Sequence, residues 1–309
     1  MDRLTAMSVF CRVVERGSFT VAGERLDMST ASVSKYVSAL ESHIGTPLLA
    51  RTTRRIVLTE AGKAYYEKCT RILDEIEDAE RSAGVVQTTP RGLLKVRAPV
   101  SLGHANLGRT VAEFTQKFPE VSVEMTLNDR FVDPAEEGVD VAFYIATAPK
   151  GSAEGASPIA TMPRLLVAAP AYVEWHGLPA ELDDLARHRC LVYTRGIAPN
   201  EWRFSPAGGD GKERAVHVTG SFRCNHSLTL REALLEGAGI ALLPAFLVLD
   251  DLAAGHLHAV LPDWCPQART LYAAYPQPRR SSPKVREFVS LVSRRFDFGT
   301  SFPLRMRDS

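Results

Sequence analysis

Two neighbouring stretches between Ser18 and Gly45 carry apolar residues at helical spacing. Ser18 stands before the first stretch as an N-cap, and Ser29 stands before the second. Asp27 and Met28 separate the stretches and predict a tight turn, while Gly45 ends the second stretch. The pattern therefore predicts two short helices joined by a turn, with their apolar faces formed by Phe19, Ala22, Leu26, Val33, Tyr36, Val37, Leu40 and Ile44.

The opposite face of the second predicted helix begins with short hydroxyl side chains and one cation. Such side chains at a helix N-terminus suit base edges and phosphates in the major groove of DNA. Small polar residues are also ordinary on a solvated helix face, so spacing alone leaves both interpretations open. The candidate DNA contacts on this helix are Ser29, Thr30, Ser32, Ser34 and Lys35.

Two short apolar segments in residues 48–58 flank a basic tip and predict a β-hairpin. A run of charge is usually only a solvated surface. Directly behind a helix-turn-helix, however, a basic hairpin is placed to lie along phosphates as a wing. The candidate contacts on the wing are Arg51, Thr53, Arg54 and Arg55.

Two further helices complete the N-terminal region. An amphipathic helix over residues 3–16 is expected to pack across the helix-turn-helix, and Thr59 caps a long helix after the wing. An apolar stripe follows this long helix for about seven turns, and a stripe of that length needs a partner. A second copy of the chain or the chain's own C-terminal part could supply it, and we favour the copy. The stripe consists of Ala61, Tyr65, Cys69, Ile72, Ile76, Ala79, Ala83 and Val86.

Beyond a linker at residues 88–92 the pattern changes to alternating strands and helices. This alternation predicts mostly parallel sheets covered by helices, arranged as two lobes with a ligand cleft between them. Residues 146–158 are expected to form a loop. Strands are expected at 93–98, 121–127, 139–145, 164–169, 190–194, 216–223, 239–243 and 269–275, and helices at 105–118 and 283–296.

Composition narrows the function classes. The 309 residues carry a net charge of only +1, so any basic surface must be local. No segment approaches the roughly 20 apolar residues that span a bilayer, so we expect a soluble, cytoplasmic protein without a membrane partner. The five cysteines form no Cys-x-x-Cys pair, and His256 and His258 lack further ligands at suitable spacing, so no metal site is expected. No catalytic motif, and therefore no catalytic residue, can be nominated, and no cofactor is expected.

The chain resembles the LysR-type transcriptional regulators over essentially its full length. The resemblance is carried by residues 18–41, 48–62 and 239–244, and residues 101–107 and 127–133 resemble the group related to CrgA. It implies an α/β protein with an N-terminal all-α winged helix-turn-helix, a long linker helix, and a two-lobed effector domain like type 2 periplasmic binding proteins. The implied domains are 1–58, 59–88 and 89–300, with a first lobe at 92–160 and 267–300 and a second lobe at 161–266.

The resemblance also implies function and partners. It implies a ligand-responsive DNA-binding regulator of a neighbouring operon, with a small-molecule co-inducer held between the lobes. Its partners would be double-stranded operator DNA, further copies of the chain in a homodimer or homotetramer, and RNA polymerase if it is an activator. A solute-binding protein and an enzyme are the weaker alternatives, because the DNA-binding head does not suit the first and no base or nucleophile suits the second.

The effector site is expected where strands end and helices begin. Residues 99–103 lead from a strand into a helix N-terminus whose N–H groups, with the Ser101 hydroxyl, could bind a carboxylate. For each of two residues an ordinary structural role is about as good an interpretation as effector binding. Ser101 could simply cap the helix, and Arg130 could form a surface ion pair. The candidate effector contacts are Pro99, Val100, Ser101, Leu102, Asn128, Asp129, Arg130, Phe131, Tyr144, Thr194, Asn225 and Ser227.

Two departures from the usual family pattern bear on the effector class. Tyr144 stands where many members carry an Arg-containing segment, which favours a weakly charged or aromatic acid if Tyr144 points inward. Cys224 stands where a less reactive residue is expected. A redox-sensing regulator acting through this cysteine is therefore the alternative function, although an inert cysteine at a strand end is the simpler interpretation.

Overall fold

The computed structural model divides the chain into two compact units, Met1–Thr88 and Thr89–Ser309. We call them the N-terminal unit and the C-terminal unit. The residues that the structure describes are 2–51, 56–82, 89–131, 133–148, 156–196, 198–208, 211–276, 279 and 282–297.

The N-terminal unit is a helical bundle with a two-stranded hairpin. Its elements in chain order are α1 Arg3–Arg16, α2 Phe19–Leu26, α3 Thr30–Ile44, β1 Leu49–Arg51, β2 Ile56–Leu58 and α4 Glu60–Ser82. Helices α2 and α3 are the two that the apolar spacing predicts. The hydroxyl of Ser18 accepts a hydrogen bond from the N–H of Val21, and that of Ser29 accepts one from Ser32, so both predicted N-caps are confirmed.

The turn between α2 and α3 is tight because two backbone features permit it. Asp27 adopts a left-handed conformation with φ of 55°, which Asp tolerates better than most residues. Gly23 lies so close to the turn that a Cβ atom there would stand 2.6 Å from the carbonyl oxygen of Met28. The close approach packs the two helices around a core that includes Phe10, Val33 and other buried side chains of α1 and α3.

The hairpin is fixed to α3 and α4 at its base. Strands β1 and β2 pair antiparallel, as predicted, and the tip at 52–55 lies outside the described residues. The Glu41 carboxylate on α3 accepts hydrogen bonds from the N–H groups of Leu48 and Leu49 at 2.8 and 3.0 Å. The Thr59 hydroxyl donates to the Pro47 carbonyl and accepts from the N–H of Gly62, so it also caps α4 as predicted.

The apolar stripe of α4 does not act as one seam. Cys69 is fully buried, and Tyr65 packs on the core of the N-terminal unit, which includes side chains of α1. The first part of the stripe therefore has a partner inside its own unit. Phe10 lies 5.9 Å from Tyr65 between ring centroids. Ile72 is 43% exposed, and Ala83 and Val86 lie outside the described residues. The expectation that a second copy or the C-terminal part of the chain covers the stripe is therefore wrong for the first turns of α4.

In its described residues, the C-terminal unit contains two five-stranded sheets and a smaller three-stranded one. Its strands in chain order are β3 Gly92–Ala98, β4 Val121–Leu127, β5 Val141–Ala146, β6 Ala156–Met162, β7 Arg164–Ala168, β8 Cys190–Tyr193, β9 Glu201–Pro206, β10 Arg214–His217, β11 Gly220–Cys224, β12 Ile240–Pro244, β13 His258–Ala259, β14 Trp264–Pro266 and β15 Arg269–Ala274. Its α-helices are α5 Val100–Leu102, α6 Gly108–Lys117, α7 Pro134–Glu137, α8 Pro170–His176, α9 Ser227–Leu235, α10 Ala245–Ala253 and α11 Pro283–Arg295. A π-helical segment at Gly103–Leu107 joins α5 to α6, and a 3₁₀ helix covers Leu182–Arg187.

Each large sheet forms one lobe. The first lobe has the strand order β4-β3-β5-β15-β6, and the second has β11-β8-β12-β7-β13. Helices α6 and α11 cover the first sheet, where Phe114 and Phe288 meet edge to face at 5.1 Å. The third sheet, β10-β9-β14, adds to the core of the second lobe through Trp202, Phe204 and Val216. The sequence pattern did not predict this third sheet.

The sheets are mixed rather than mostly parallel. Strands β3, β4 and β5 are parallel, but β15 pairs antiparallel with β5 and β6, and β7 pairs antiparallel with β12 and β13. The antiparallel strands are the ones that adjoin the crossings between lobes. The chain passes from β6 through Pro163 into β7, and returns between β14 and β15, so each crossing brings a strand into its sheet against the parallel direction.

Two local expectations are also corrected. Residues 216–223 are not one strand, because Asn200 hydrogen-bonds both backbone groups of Val218 at 2.9 and 2.7 Å and so divides β10 from β11. Residues 156–158, expected in a loop, begin β6. Pro158 is tolerated there because β6 lies at the edge of its sheet.

Gly62→Ala should destabilise the N-terminal unit, although alanine is the better helix former. A Cβ atom at Gly62 would stand 2.0 Å from the Leu48 carbonyl oxygen, so α4 would have to move away from the hairpin. Overpacking of this kind costs about 1–3 kcal/mol. Hydrogen exchange of α1 and α4 peptides would measure it.

Gly108→Ala is the matched control. Its Cβ meets no atom within 4 Å at the start of α6, so helix propensity alone should act and leave stability equal or higher. Equal protection in Gly62→Ala and the unaltered protein would show that the hairpin yields without cost.

Candidate effector cavity and nucleic-acid interface

The ends of two parallel strands form the floor of a cavity in the C-terminal unit. Strands β3 and β4 end side by side at Ala98 and Leu127. The N–H of Asn128 donates to the Ala98 carbonyl at 2.9 Å, and the N–H of Val100 donates to the Asp129 carboxylate at 3.1 Å. These two bonds hold the loops after β3 and β4 together, at the sheet edge where open α/β folds bind ligands.

Both lobes contribute to the cavity. It spans about 870 Å³ of atom-free space, including the part that opens to solvent. Its walls are formed by Arg97, Pro99, Ser101, Asn128, Asp129, Arg130, Phe131, Ala142, Phe143, Tyr144, Ile145, Met162 and Arg269 from the first lobe and the strand that enters it, and by Arg164, Tyr193, Ser227, Leu242 and Pro244 from the second.

Among the residues that the structure describes, four guanidinium groups and one carboxylate, that of Asp129, line this cavity. Arg97 is only 7% exposed and pairs with Glu137, yet its Nε atom is buried without a hydrogen-bond partner. The Nε atom of Arg269 is buried in the same way. Buried polar groups normally have partners, so each of these two atoms has room for one hydrogen-bond acceptor.

Burial acts most strongly on the two arginines beside the crossings. Desolvation, with the nearby charge of Arg269, lowers the pKa of Arg164 to about 9, so this side chain remains a cation at neutral pH. Desolvation also lowers the pKa of Arg269. Beside the ends of β3 and β4, desolvation and the charge of Arg130 lower the pKa of Arg97. Each shift means that the positive charge is held at a cost that a bound anion would reduce.

Aromatic side chains form part of the cavity wall. Tyr144 lines the cavity, and its ring stacks on that of Tyr272 with centroids 5.2 Å apart and planes 16° apart. Phe131 packs edge-on against Tyr144 at 4.8 Å. Rings in this arrangement offer an apolar surface to the flat or aliphatic part of a ligand.

Eight of the twelve candidate effector residues line the cavity. They are Pro99, Ser101, Asn128, Asp129, Arg130, Phe131, Tyr144 and Ser227. The other four lie outside its walls: Val100 supports Asp129, Leu102 is fully buried in the core of the first lobe, Thr194 bonds to the Cys224 carbonyl, and Asn225 is exposed.

The helix start at residues 99–103 differs from the expected carboxylate site. The N–H of Val100 is occupied by Asp129, and that of Leu102 by the Pro99 carbonyl, so these donors are not free for a ligand. The cationic residues Arg97, Arg164 and Arg269 were missed instead. In the sequence they look like ordinary charged residues near the ends of strands. The only signal is that Arg164 and Arg269 each begin a strand directly after a crossing between the lobes.

The predicted DNA-binding residues of α3 lie on its polar face. Ser29, Thr30 and Lys35 are exposed, Ser32 and Ser34 are half-buried, and Val33 and Val37 point into the core. The hydroxyls of Ser29 and Ser32 lie 2.8 Å apart and share a hydrogen bond. On the wing, Arg51 ends β1, whereas Thr53, Arg54 and Arg55 lie outside the described residues.

The cysteines are all free thiols. Burial raises the pKa of Cys190 to about 12, and the adjacent Cys69 thiol together with burial raises the pKa of Cys11, so neither is an activated thiolate. Cys224 is half-buried at the end of β11. In the described part of the chain, no cluster of three or more His, Cys, Asp or Glu could hold a metal ion, and no helix is long and apolar enough to cross a membrane.

A winged helix-turn-helix followed by a two-lobed unit with a cavity defines a class of ligand-responsive transcriptional regulators. Residues 4–63 match the bacterial regulatory helix-turn-helix protein family, lysR type, and residues 87–297 match the LysR substrate binding domain. The chain therefore belongs to the LysR family of transcriptional regulators. The members of this family are regulators rather than enzymes, and they bind DNA and small effectors as oligomers.

Individual relatives agree with this assignment. The chain is 35% identical to the HTH-type transcriptional regulator PtxR of Pseudomonas aeruginosa, over 93% of this chain and 90% of PtxR. It is 32% identical to the HTH-type transcriptional activator AaeR of Escherichia coli, over 95% and 94%. Its structure is similar to CrgA, a LysR-type regulator from Neisseria meningitidis, with a TM-score of 0.59 and 28% identity over 94% and 98%. The predicted fold class, family and regulator function are confirmed.

Asp129→Ala should lower the free energy of unfolding of the C-terminal unit by more than Asp133→Ala does. Each carboxylate accepts a backbone hydrogen bond at a helix start, from Val100 and Ala135 respectively, and the loss of such a cap costs about 1 kcal/mol. Only Asp129 also stands among four guanidinium groups, so its loss leaves their mutual repulsion unopposed.

Urea unfolding followed by tryptophan fluorescence would measure the difference. Trp175, Trp202 and Trp264 are the three tryptophans of the chain and all belong to the C-terminal unit. Equal losses in the two variants would mean that Asp129 acts only as a cap.

Proposed function

We propose that this protein regulates a neighbouring operon by binding operator DNA in a manner set by a small acidic effector between its lobes. The observation that carries the proposal is that side chains of both lobes line one cavity rich in guanidinium groups. We retain the expectation of an aromatic effector, because Tyr144 and Phe131 line the cavity. We do not retain the expectation of a weakly charged effector, because Arg97, Arg164 and Arg269 supply the positive charge that position 144 lacks.

DNA binding is proposed through α3 and the wing. The exposed Ser29, Thr30 and Lys35, with Ser32 and Ser34 beside them, would meet base edges and phosphates in the major groove. Arg51, Thr53, Arg54 and Arg55 would follow the backbone or the adjacent minor groove. Since its DNA partner is chromosomal, we place the protein's action in the cytoplasm.

Oligomers are proposed through the part of α4 that the N-terminal unit leaves uncovered. Ile72 is exposed on this 23-residue helix, whereas Tyr65 and Cys69 are used by the unit's own core. A homodimer would present two reading heads to a two-fold DNA site, and a homotetramer would span two such sites. RNA polymerase is a further partner if the protein is an activator.

The effector acts by population shift. A ligand that binds one arrangement of the lobes better than another changes their equilibrium by that difference in affinity and no more. Closure around the ligand would then alter the placement of the DNA-binding heads in the oligomer.

The double variant Arg54→Ala, Arg55→Ala should weaken binding to all DNA sequences alike. Loss of two phosphate contacts should reduce the slope of log affinity against log salt by about 2. Fluorescence anisotropy on upstream DNA and on scrambled DNA, at several salt concentrations, measures both effects.

Arg203→Ala is the control, since this exposed arginine of the C-terminal unit pairs with Glu201 and Glu213 and should leave the salt slope unchanged. A loss confined to one DNA sequence would overturn the placement of the wing on the backbone. Absence of binding by the unaltered protein even at low salt would overturn the regulator proposal.

Ser101→Ala should blunt the response to effector without weakening DNA binding. The hydroxyl lines the cavity and belongs to the C-terminal unit, whereas DNA is bound by the N-terminal one. The change in anisotropy on adding small aromatic carboxylates would be compared with that of Ser290→Ala, an exposed serine of α11. Simultaneous loss of DNA binding and ligand response would instead indicate misfolding.

A further inference from the structure

The four arginines of the cavity form two pairs, one at the crossings between the lobes and one at the ends of β3 and β4. Arg164 is the first residue of β7, just after the first crossing between the lobes, and Arg269 is the first residue of β15, just after the second crossing. Arg269 is in register with Met162, the last residue before the first crossing. The two arginines therefore mark the two places where the chain passes from lobe to lobe.

The second pair belongs to the first lobe alone. Arg97 is the penultimate residue of β3, and Arg130 follows the end of β4, its parallel neighbour. In both pairs one guanidinium lowers the pKa of the other, so the members of each pair are electrostatic neighbours. Like charges repel most strongly where they are desolvated, as at Arg164 and Arg269, whereas the exposure of Arg130 to solvent screens its repulsion with Arg97.

The polar atoms around the cavity do not neutralise these pairs. Arg97 pairs with Glu137, Arg164 donates to the Leu242 carbonyl at 3.2 Å, and Asp129 accepts from the N–H of Val100. Counted over the described residues, four positive groups, one carboxylate in the wall and the one ion pair with Glu137 leave an excess of two positive charges. The buried Nε atoms of Arg97 and Arg269, one in each pair, still lack an acceptor.

We propose that the cavity binds a small dianion, with one acid group between Arg164 and Arg269 and the other at Arg97 and Arg130. The aromatic wall formed by Phe131 and Tyr144 then faces the carbon skeleton that joins the two acid groups. This inference rests on the proposed function, because it names the chemical class of the effector held in that cavity.

Matched ligands test the second acid group. Isothermal titration of the full-length protein, at constant ionic strength, would compare three dicarboxylates with their isosteric monoamides: isophthalate with 3-carbamoylbenzoate, succinate with succinamate, and glutarate with glutaramate. At least one dicarboxylate should bind ten or more times as tightly as its monoamide, since a hydrogen bond to a charged group is replaced by a neutral one. No preference for any dicarboxylate in the panel would overturn the proposal.

Variants test the place of binding. Arg269→Gln should remove the preference for the dicarboxylate, whereas Arg109→Gln, which removes the same charge from an exposed position on α6, should retain it. A preference that survives in Arg269→Gln would place the acid group elsewhere and overturn the assignment to the crossings.

A third measurement does not depend on the identity of the ligand. Without ligand, Arg269→Met should raise the thermal midpoint, because it removes one of two repelling, desolvated cations; a fivefold gain in the folding equilibrium corresponds to a rise of about 2–4 °C. Arg109→Met should leave the midpoint unchanged. A lower midpoint in Arg269→Met would show that the side chain is a structural element and overturn the proposal. All of these measurements omit DNA, so a failure to bind operator DNA would count against the proposed function alone.

Discussion

Positive charge without enough negative charge is the constraint around which the C-terminal unit is organised. Folding takes Arg164 and Arg269 out of water and sets them beside one another, which burial and Coulomb repulsion both oppose. The cores of the two lobes stabilise the fold despite this cost, because each sheet buries its own apolar cluster. The unfavourable electrostatic free energy of the empty site is relieved when an anion binds. Functional sites often lower the stability of the unliganded protein in this way.

The topology explains how residues so far apart in the chain meet. Each lobe receives one antiparallel strand from a crossing, and such a strand starts at the cleft because the crossing itself lies there. Its first residue therefore points to the space between lobes, whereas its later residues enter the sheet. The parallel strands β3 and β4 end at the same place for the complementary reason, since parallel neighbours share their carboxyl ends.

Features set by neighbouring residues were predictable from the sequence, and features set by distant contacts were not. The caps at Ser18, Ser29 and Thr59 act within three residues, and all three are confirmed. The break at Val218 depends on Asn200, which lies on another segment and leaves no local signal. The cavity falls between these cases: the loops after β3 and β4 were predicted from strand ends, while the arginines at the crossings require knowledge of which strands are antiparallel.

The two arginine pairs cannot contribute equally to signalling. Arg97 and Arg130 belong to the same lobe, so movement of one lobe against the other leaves their separation unchanged, and an anion there gains similar energy whether the lobes are open or closed. Arg164 belongs to the second sheet and Arg269 to the first, so their separation changes when one lobe moves against the other. Only a differential affinity shifts an equilibrium between arrangements. The strand-end pair therefore supplies affinity, and the crossing pair supplies the preference for one arrangement that a regulator needs.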